Sequence, residues 1–136
     1  MYSIYMAYVY LNLNPLEKNT GDCVVRALAF ATNRSWDDIY WDLCKKGFDR
    51  AEMPSWNSTW WDLLKDLNFR RYIIPDTCPS CYTVEDFCKD HPEGKYVLFI
   101  PYSSEQSGHV VAVESGNVYD TWDSTKEVPL AYWRKE

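Results

Sequence analysis

The sequence predicts one α+β domain in which several helices precede an antiparallel sheet. The first observation behind this prediction is length, because 136 residues fit a single domain, residues 1–136, with a sizeable core. The second is apolar spacing typical of helices through the first two-thirds of the chain. The third is a series of short β-rich runs, separated by turn residues, in the last third.

The first two predicted helices belong to the N-terminal part of the core. Residues 22–32 are almost entirely apolar on every side of a helix, which is typical of a helix buried within a domain. The next helix has Ser35 as its N-cap, Asp38 in the capping-box position and Gly47 as its C-cap. Cys44 falls on the apolar stripe of this helix, so we expect its thiol to belong to the core.

Two further helices are predicted, with a strand between them. The third helix follows Ser58 and keeps its apolar residues on one face. The run FRRYII, residues 69–74, predicts a strand. The fourth helix begins at Thr83, whose capping box is completed by Asp86, and it stops before Pro92.

The last third of the chain predicts an antiparallel sheet. A strand over residues 95–100 is followed by a tight hairpin over residues 110–123. The run VPLAYWR, residues 128–134, predicts an edge strand of the same sheet. At the other end of the chain, residues 1–11 are apolar, uncharged and rich in tyrosine, and they predict one more strand.

Composition argues against several classes of function. The net charge is -6 and the charges are mixed, whereas nucleic-acid binders need a basic surface, so we expect no nucleic-acid partner. The apolar N-terminal stretch is too short for a membrane span and lacks the positive region of a secretory signal, so we expect no membrane association. Five cysteines at irregular spacing, without an export signal, indicate free thiols in the cytoplasm.

The run TGDCVVRALAFAT, residues 20–32, places Cys23 where the first helix begins. A helix N-terminus stabilises a thiolate, because its unpaired N–H groups and its dipole favour an anion. Gly21 permits a sharp entry into the helix, and the backbone N–H of Cys23 is available to an oxyanion. These features predict a nucleophile, although a cysteine on an apolar helix is also an ordinary core residue.

A nucleophilic thiol needs a base, and the chain has only two histidines. His91 ends a helix just before a proline, whereas His109 opens a strand after a glycine, so His109 is the better candidate. We expect the group that orients its ring to lie on the Nδ1 side. With a two-residue turn at residues 115–116, Asp120 lies one diagonal step from His109 on the same face. A three-residue loop would place Asp123 opposite His109 instead, but two-residue turns are commoner and favour Asp120.

The order of these residues resembles that of the papain-like cysteine peptidases. The similar features are a Cys at the start of the central helix, a Gly-His at a strand start, and the run DTW at residues 120–122, where the family carries Asn-Ser-Trp. The similarity extends over residues 20–122 and is closest to small papain-like proteins of phages and bacteria. It implies a Cys-bearing helix packed on the sheet, a Cys23-His109-Asp120 triad, and a tryptophan that shields the histidine from water.

The resemblance also implies an activity. A papain-like triad hydrolyses peptide, isopeptide or related amide bonds through a thioester, without a cofactor, and its substrate is a protein or peptide. Amidase and acyl-transferase reactions share the same thioester chemistry. If a phage encodes the protein, the resemblance implies that it acts in the cytoplasm of the host.

One position departs from the family pattern. The family has a Gln before the Cys whose side chain donates to the oxyanion, and here that position holds Glu17. Asn19, four residues before Cys23, is the donor that we expect instead. Loss of one such donor slows a reaction by about 10²–10³, so the alternative function is a weak or inactive protein that binds and inhibits another protein. Residues 47–57 and 102–108 are expected to flank the cleft.

A second motif, Cys78-x2-Cys81-x6-Cys88-x2-His91, has the residue types of a tetrahedral zinc site. Cys88 and His91 also continue an apolar helical stripe, so packing explains both of them without a metal. We therefore expect no metal site, and a Cys78–Cys81 disulfide is the lesser alternative.

Overall fold

The computed structural model describes residues 7–102 and 108–136. These residues form an α+β fold with four helices and a mixed sheet of six strands. No helix among them is both long enough and apolar enough to cross a membrane. In chain order the elements are β1 (Tyr8–Tyr10), α1 (Cys23–Thr32), α2 (Trp36–Arg50), α3 (Asn57–Asp66), β2 (Phe69–Ile73), α4 (Val84–Asp90), β3 (Lys95–Pro101), β4 (Gly108–Glu114), β5 (Asn117–Asp120) and β6 (Ala131–Lys135).

The strand order in the sheet is β1, β5, β4, β3, β6, β2. The C-terminal strands β3 to β6 pair antiparallel as predicted, but β1 runs parallel to β5, so the sheet as a whole is mixed. A strand of three residues has too little pattern for its direction to be predicted, and residues 1–6 of the predicted N-terminal strand lie outside the described residues. The prediction of β6 as an edge strand is wrong, because β6 pairs with β3 on one side and with β2 on the other.

Helices cover both faces of the sheet. Helices α1, α2 and α3 pack on one face, whose buried residues alternate along the strands with those of the other face. Helix α4 packs on the opposite face with a second apolar cluster, so the helices are not all on one side. The first face carries Val97, Phe99, Val110, Ala112, Ala131 and Trp133, and the second carries Leu98, Ile100, Val111, Val113 and Val118.

Two predicted helix starts are confirmed by their hydrogen bonds. The Ser35 side chain accepts a hydrogen bond from the N–H of Asp38 at 3.0 Å and caps α2. The Thr83 hydroxyl accepts from the N–H of Asp86, whose carboxylate accepts from the N–H of Thr83, and this complete capping box starts α4. Both caps supply partners to N–H groups that the first helical turn leaves unpaired, but only the cap of α4 is a complete capping box.

The predicted end of α2 at Gly47 is wrong. The helix continues to Arg50, and Ala51 takes the left-handed conformation with φ 56° that ends it. Gly47 lies inside the helix, where an added Cβ would stand 2.7 Å from the carbonyl oxygen of Glu52. The glycine therefore permits a close approach of the following loop. Cys44 is also not a core residue, because it is only partly buried and faces a groove beside α1.

Candidate active site

Cys23 is the first residue of α1, and its side chain is partly exposed. Gly21, with φ 68°, turns the chain into the helix in a conformation that only glycine adopts at little cost. The rest of α1 is buried against β3 and β4, which holds the helix start in a fixed place. The thiol therefore lies at the end of the helix where unpaired N–H groups and the dipole favour negative charge.

His109 and Asp120 come together on neighbouring strands. Glu114 pairs with Asn117, which confirms the two-residue turn and with it the register that the sequence predicts. His109, in β4, donates from Nε2 to Oδ2 of Asp120, the last residue of β5, at 2.5 Å. Both side chains are buried. The orienting carboxylate therefore lies on the Nε2 side of the ring rather than on the expected Nδ1 side.

The electrostatic state of His109 links it to Cys23. Burial by itself lowers the pKa of His109, but hydrogen bonds to Asp120 and to the Cys23 side chain, together with the negative charge on both, raise it to about 9. Since Nε2 is engaged by Asp120, Nδ1 is the ring nitrogen left for the thiol. His109 is therefore held between a carboxylate and a sulfur, and both of them favour its protonated form.

The alternative partner, Asp123, does not face His109. Its carboxylate accepts hydrogen bonds from the backbone N–H of Thr125 at 3.0 Å and from the hydroxyl of Thr125 at 2.6 Å. The side chain is exposed, because the turn that follows β5 carries it out of the sheet. The three-residue loop that would have brought Asp123 to His109 is not formed.

The second oxygen of Asp120 is held by donors on the side away from His109. Oδ1 accepts from Nη1 of Arg26 at 3.0 Å and from the backbone N–H of Thr121 at 2.7 Å. Burial of Asp120 opposes its ionisation, but the hydrogen bond and charge of His109, with the bonds from Thr121 and Arg26, hold its pKa below the usual range. Asp120 is thus a fixed anion whose Oδ2 points at the histidine.

Arg26, the only charge within α1, continues this chain of contacts. Its Nε donates to Oδ1 of Asp22 at 2.8 Å, and Asp22 in turn accepts from Nδ2 of Asn14 at 3.0 Å and from Nε1 of Trp36 at 2.9 Å. Arg26, Asp22 and Asn14 are all buried. Burial disfavours the charged Asp22, yet the hydrogen bonds from Arg26, Asn14 and Trp36 lower its pKa below the usual value.

This network was not predicted from the sequence, although Arg26 is a signal of it. A lone arginine in an apolar, buried helix needs a carboxylate partner, because an unpaired buried charge is costly. Asp22 stands four residues earlier, one helical turn away, where such a partner is expected. The link from Arg26 to Asp120 spans 94 residues of sequence, and no local pattern predicts it.

Two aromatic side chains border the histidine and the thiol. The ring of Trp122 lies 4.7 Å from that of His109, centroid to centroid, and covers it as the resemblance implies. Burial and, after it, the negative charge of the Cys23 side chain raise the pKa of Tyr102, whose side chain is half-exposed. Tyr102 is the first residue of the segment, residues 102–108, that was expected to flank the cleft.

Asn19, the expected side-chain donor to an oxyanion, is exposed. Within residues 7–102 and 108–136 it is Asn14, not Asn19, whose side chain donates to Asp22 next to Cys23. The backbone N–H of Cys23, at the first position of α1, is a donor that the helix itself leaves unpaired.

Cys23 lines a cavity of only about 10 Å³ together with Arg26 and Asp120. A groove of about 530 Å³ lies at the same end of α1, but Cys23 is not among the residues that line it. Asp22 and Val24, the residues on either side of Cys23, line it together with α2 and the loop after α2. The groove includes Pro54 and Ser55 from the segment that was predicted to flank the cleft, residues 47–57. Of the other predicted flank, residues 103–107 lie outside the described part of the chain.

The Cys/His motif near α4 does not form a ligand set. Cys78 and Cys81 are joined by a disulfide, which was the lesser alternative of the sequence, whereas Cys23, Cys44 and Cys88 are the free thiols that it favoured. Cys88 is buried, and the His91 ring stacks on Phe87 at 3.8 Å, which confirms that packing explains these two residues. Among the described residues no three His, Cys, Asp or Glu side chains converge as a metal site would require.

Comparison with known proteins gives no relative for this chain. No protein-family model matches the sequence, and no curated protein or solved structure matches it with significance.

Proposed function

We propose that the protein is a cysteine hydrolase of papain-like arrangement that cleaves peptide, isopeptide or related amide bonds through a thioester. The observation that carries this proposal is the position of His109, which is hydrogen-bonded to Asp120 and to Cys23 within a buried site. A cysteine that only fills core volume needs neither a histidine nor a helix N-terminus beside it.

The first half of the reaction forms the thioester. With His109 as imidazolium, Cys23 acts as a thiolate whose Sγ attacks the carbonyl carbon of the scissile bond. The carbonyl electrons move to oxygen, and the backbone N–H of Cys23 is placed to stabilise the resulting oxyanion. His109 then gives its Nδ1 proton to the leaving nitrogen, the carbon–nitrogen bond breaks, and the amine departs.

The second half restores the enzyme. His109, now neutral, takes a proton from a water molecule whose oxygen attacks the thioester carbon. The carbon–sulfur bond breaks, the carboxylic acid leaves, and the imidazolium and thiolate are regenerated. If an amine replaces water in this step, the same residues transfer the acyl group, which is why hydrolysis and acyl transfer share the site.

The residues around the triad keep it in a working geometry. Arg26 and Thr121 hold one oxygen of Asp120, so the other oxygen stays directed at His109. Trp122 covers the His109 ring, which limits access of water to the ion pair and strengthens it. The groove at the N-terminal end of α1 does not include Cys23 itself, but its apolar side chains, such as Val25 and Leu43, suit an apolar segment of a polypeptide substrate that reaches the thiol from there.

The test is mass-spectrometric detection of cleavage in a complex peptide mixture incubated in water that carries heavy oxygen. Hydrolysis through a thioester places one heavy oxygen atom in each new carboxyl group. We expect labelled carboxyl termini with the wild-type protein and with the control Cys88→Ala, whose thiol lies under α4 on the other face of the sheet, and none with Cys23→Ser. Labelled termini from all three proteins, or from none of them across peptide and isopeptide mixtures, overturn the proposal.

A further inference from the structure

The exposed cations of this acidic protein are unevenly distributed. Of its 14 lysines and arginines, seven form ion pairs with described carboxylates: Arg26, Arg34, Lys45, Lys46, Arg50, Lys89 and Lys95. That leaves seven, of which only Lys18 and Lys126 lie far from β2. The other five are exposed and lie on β2, on its neighbour β6, or at the end of α3 before β2: Lys65, Arg70, Arg71, Arg134 and Lys135.

Strand β2 is an edge of the sheet. It pairs with β6 on one side, and within the described residues its backbone makes no hydrogen bond outside that ladder. Its outer N–H and C=O groups are therefore available to another extended chain, which is the usual way in which a peptide adds a strand to a sheet.

The cations stand on both faces of this edge. Arg71 lies over the ring of Trp61, with Cζ 4.7 Å from the ring centroid, on the face that α3 covers. Arg70 and Arg134 are register partners on the opposite face, where their Cζ atoms lie 5.6 Å and 5.1 Å from the centroid of Tyr72. Stacking on aromatic rings holds each guanidinium in place without neutralising it.

A pocket of about 410 Å³ adjoins the edge, a volume within the range of ligand sites. It is lined by Trp61, Lys65, Phe69, Arg70, Arg71 and Trp133, so cations surround an aromatic floor without a carboxylate in the lining. On the opposite face the acid Glu136 is present, and it accepts a hydrogen bond from the hydroxyl of Tyr72 at 2.6 Å. We call this pocket, strand β2 and the five cations the β2 edge surface.

We propose that the β2 edge surface binds an extended acidic segment of another protein, which adds to β2 as a further strand. Side chains of an added strand alternate between the two faces, so consecutive acidic residues meet Arg71 and Lys65 on one face and Arg70 and Arg134 on the other. A nucleic-acid strand fits this surface less well, because its phosphates follow one continuous basic groove and make no use of a backbone edge. This inference is independent of the proposed hydrolase activity.

The experiment measures fluorescence anisotropy of a labelled nine-residue peptide in which pairs of consecutive glutamates are separated by single threonine or valine residues, so that glutamates reach both faces of the added strand. The comparison probes are the same peptide with glutamine for glutamate, the same peptide with alternate backbone nitrogens methylated, and single-stranded oligothymidine. The protein is used as wild type, as Arg70→Gln/Arg71→Gln, and as the control Lys126→Gln, which removes an exposed cation elsewhere.

We expect the glutamate peptide to bind the wild type and the control equally and to bind Arg70→Gln/Arg71→Gln about 2- to 30-fold more weakly, the range for two exposed ion pairs. The glutamine and methylated peptides should both bind more weakly than the parent. Equal binding of the methylated peptide refutes strand addition, because charge alone then explains the affinity. The proposal is overturned if oligothymidine binds more tightly than the glutamate peptide, or if the glutamate peptide does not bind at low salt. In that case the cations at this edge serve only to prevent two copies of β2 from pairing.

Discussion

Replacing Asp120 with asparagine removes the carboxylate that His109 contacts while keeping the size of the side chain. In the native site the pKa of His109 is raised from its ordinary 6.5 to about 9, and Asp120 is the strongest of the partners that raise it. This rise in pKa corresponds to about 3 kcal/mol of preference for the imidazolium. In Asp120→Asn burial still lowers the pKa of His109, so we expect it to fall toward 6.5 or below.

The assay is NMR titration of the imidazole ring protons, which does not require a known substrate. The chain contains only two histidines, so the signals of His109 and His91 are assigned with one His91→Gln variant. Asp123→Asn is the matched control, because the same substitution is made three residues away at an exposed carboxylate that Thr125 binds. It should leave the titration of His109 in place and should preserve activity, whereas Asp120→Asn should lower it.

Two results would refute this reasoning. A titration of His109 that stays near pH 9 in Asp120→Asn would mean that the carboxylate does not hold the imidazolium. The reverse ranking of the two variants would mean that the hairpin after β4 has the longer loop and that Asp123 is the partner of His109.

Three further predictions follow from the same structure. Asp22→Asn removes one of the two carboxylates that neutralise buried Arg26, so it should lower the free energy of unfolding, measured by urea titration, by about 3 kcal/mol. It should also shift the titration of His109 to lower pH, whereas a purely structural role of Asp22 would leave that titration unchanged. Gly47→Ala should cost about 1–3 kcal/mol of unfolding free energy, because its Cβ meets the carbonyl oxygen of Glu52 at 2.7 Å; unchanged stability would show that the loop yields. His109→Gln should remove a pH dependence of stability. The wild type keeps the full stabilising contribution of the raised His109 pKa below about pH 6.5 and loses about 3 kcal/mol of it as the pH rises through 9. Equilibrium unfolding at both pH values measures this loss, and parallel curves for the two proteins would contradict it.

The parts of the fold that depend on local chemistry were predictable from the sequence. Ser35 and Thr83 start helices because their hydroxyls accept hydrogen bonds from N–H groups of the first turn, an interaction within a few residues. The turn at residues 115–116 sets the register of β4 and β5, and the register brings Asp120 to His109. A short-range preference therefore predicted a long-range contact.

The parts that depend on packing between distant segments were not predictable. Gly47 has the signature of a helix end, but the loop after α2 approaches so closely that glycine is needed inside the helix instead. Strand β6 has the composition of an edge strand, yet β2, from much earlier in the chain, pairs with its outer side and places it within the sheet. The position of Arg26 in an apolar helix indicates that it has a buried carboxylate partner. Only the folded chain identifies Asp120 as its second partner, besides Asp22.

The central claim, that Cys23 is a nucleophile activated by His109, is tested most directly by iodoacetamide labelling as a function of pH, measured site by site with mass spectrometry. The comparison thiols are Cys44, which is partly exposed in the groove, and Cys88, whose pKa burial raises to about 12. We expect Cys23 to label fastest near pH 6 in the wild type, and to lose that advantage over Cys44 in His109→Ala. Protection of Cys23 at every pH below 8, or equal labelling at pH 6 with and without His109, would contradict the account.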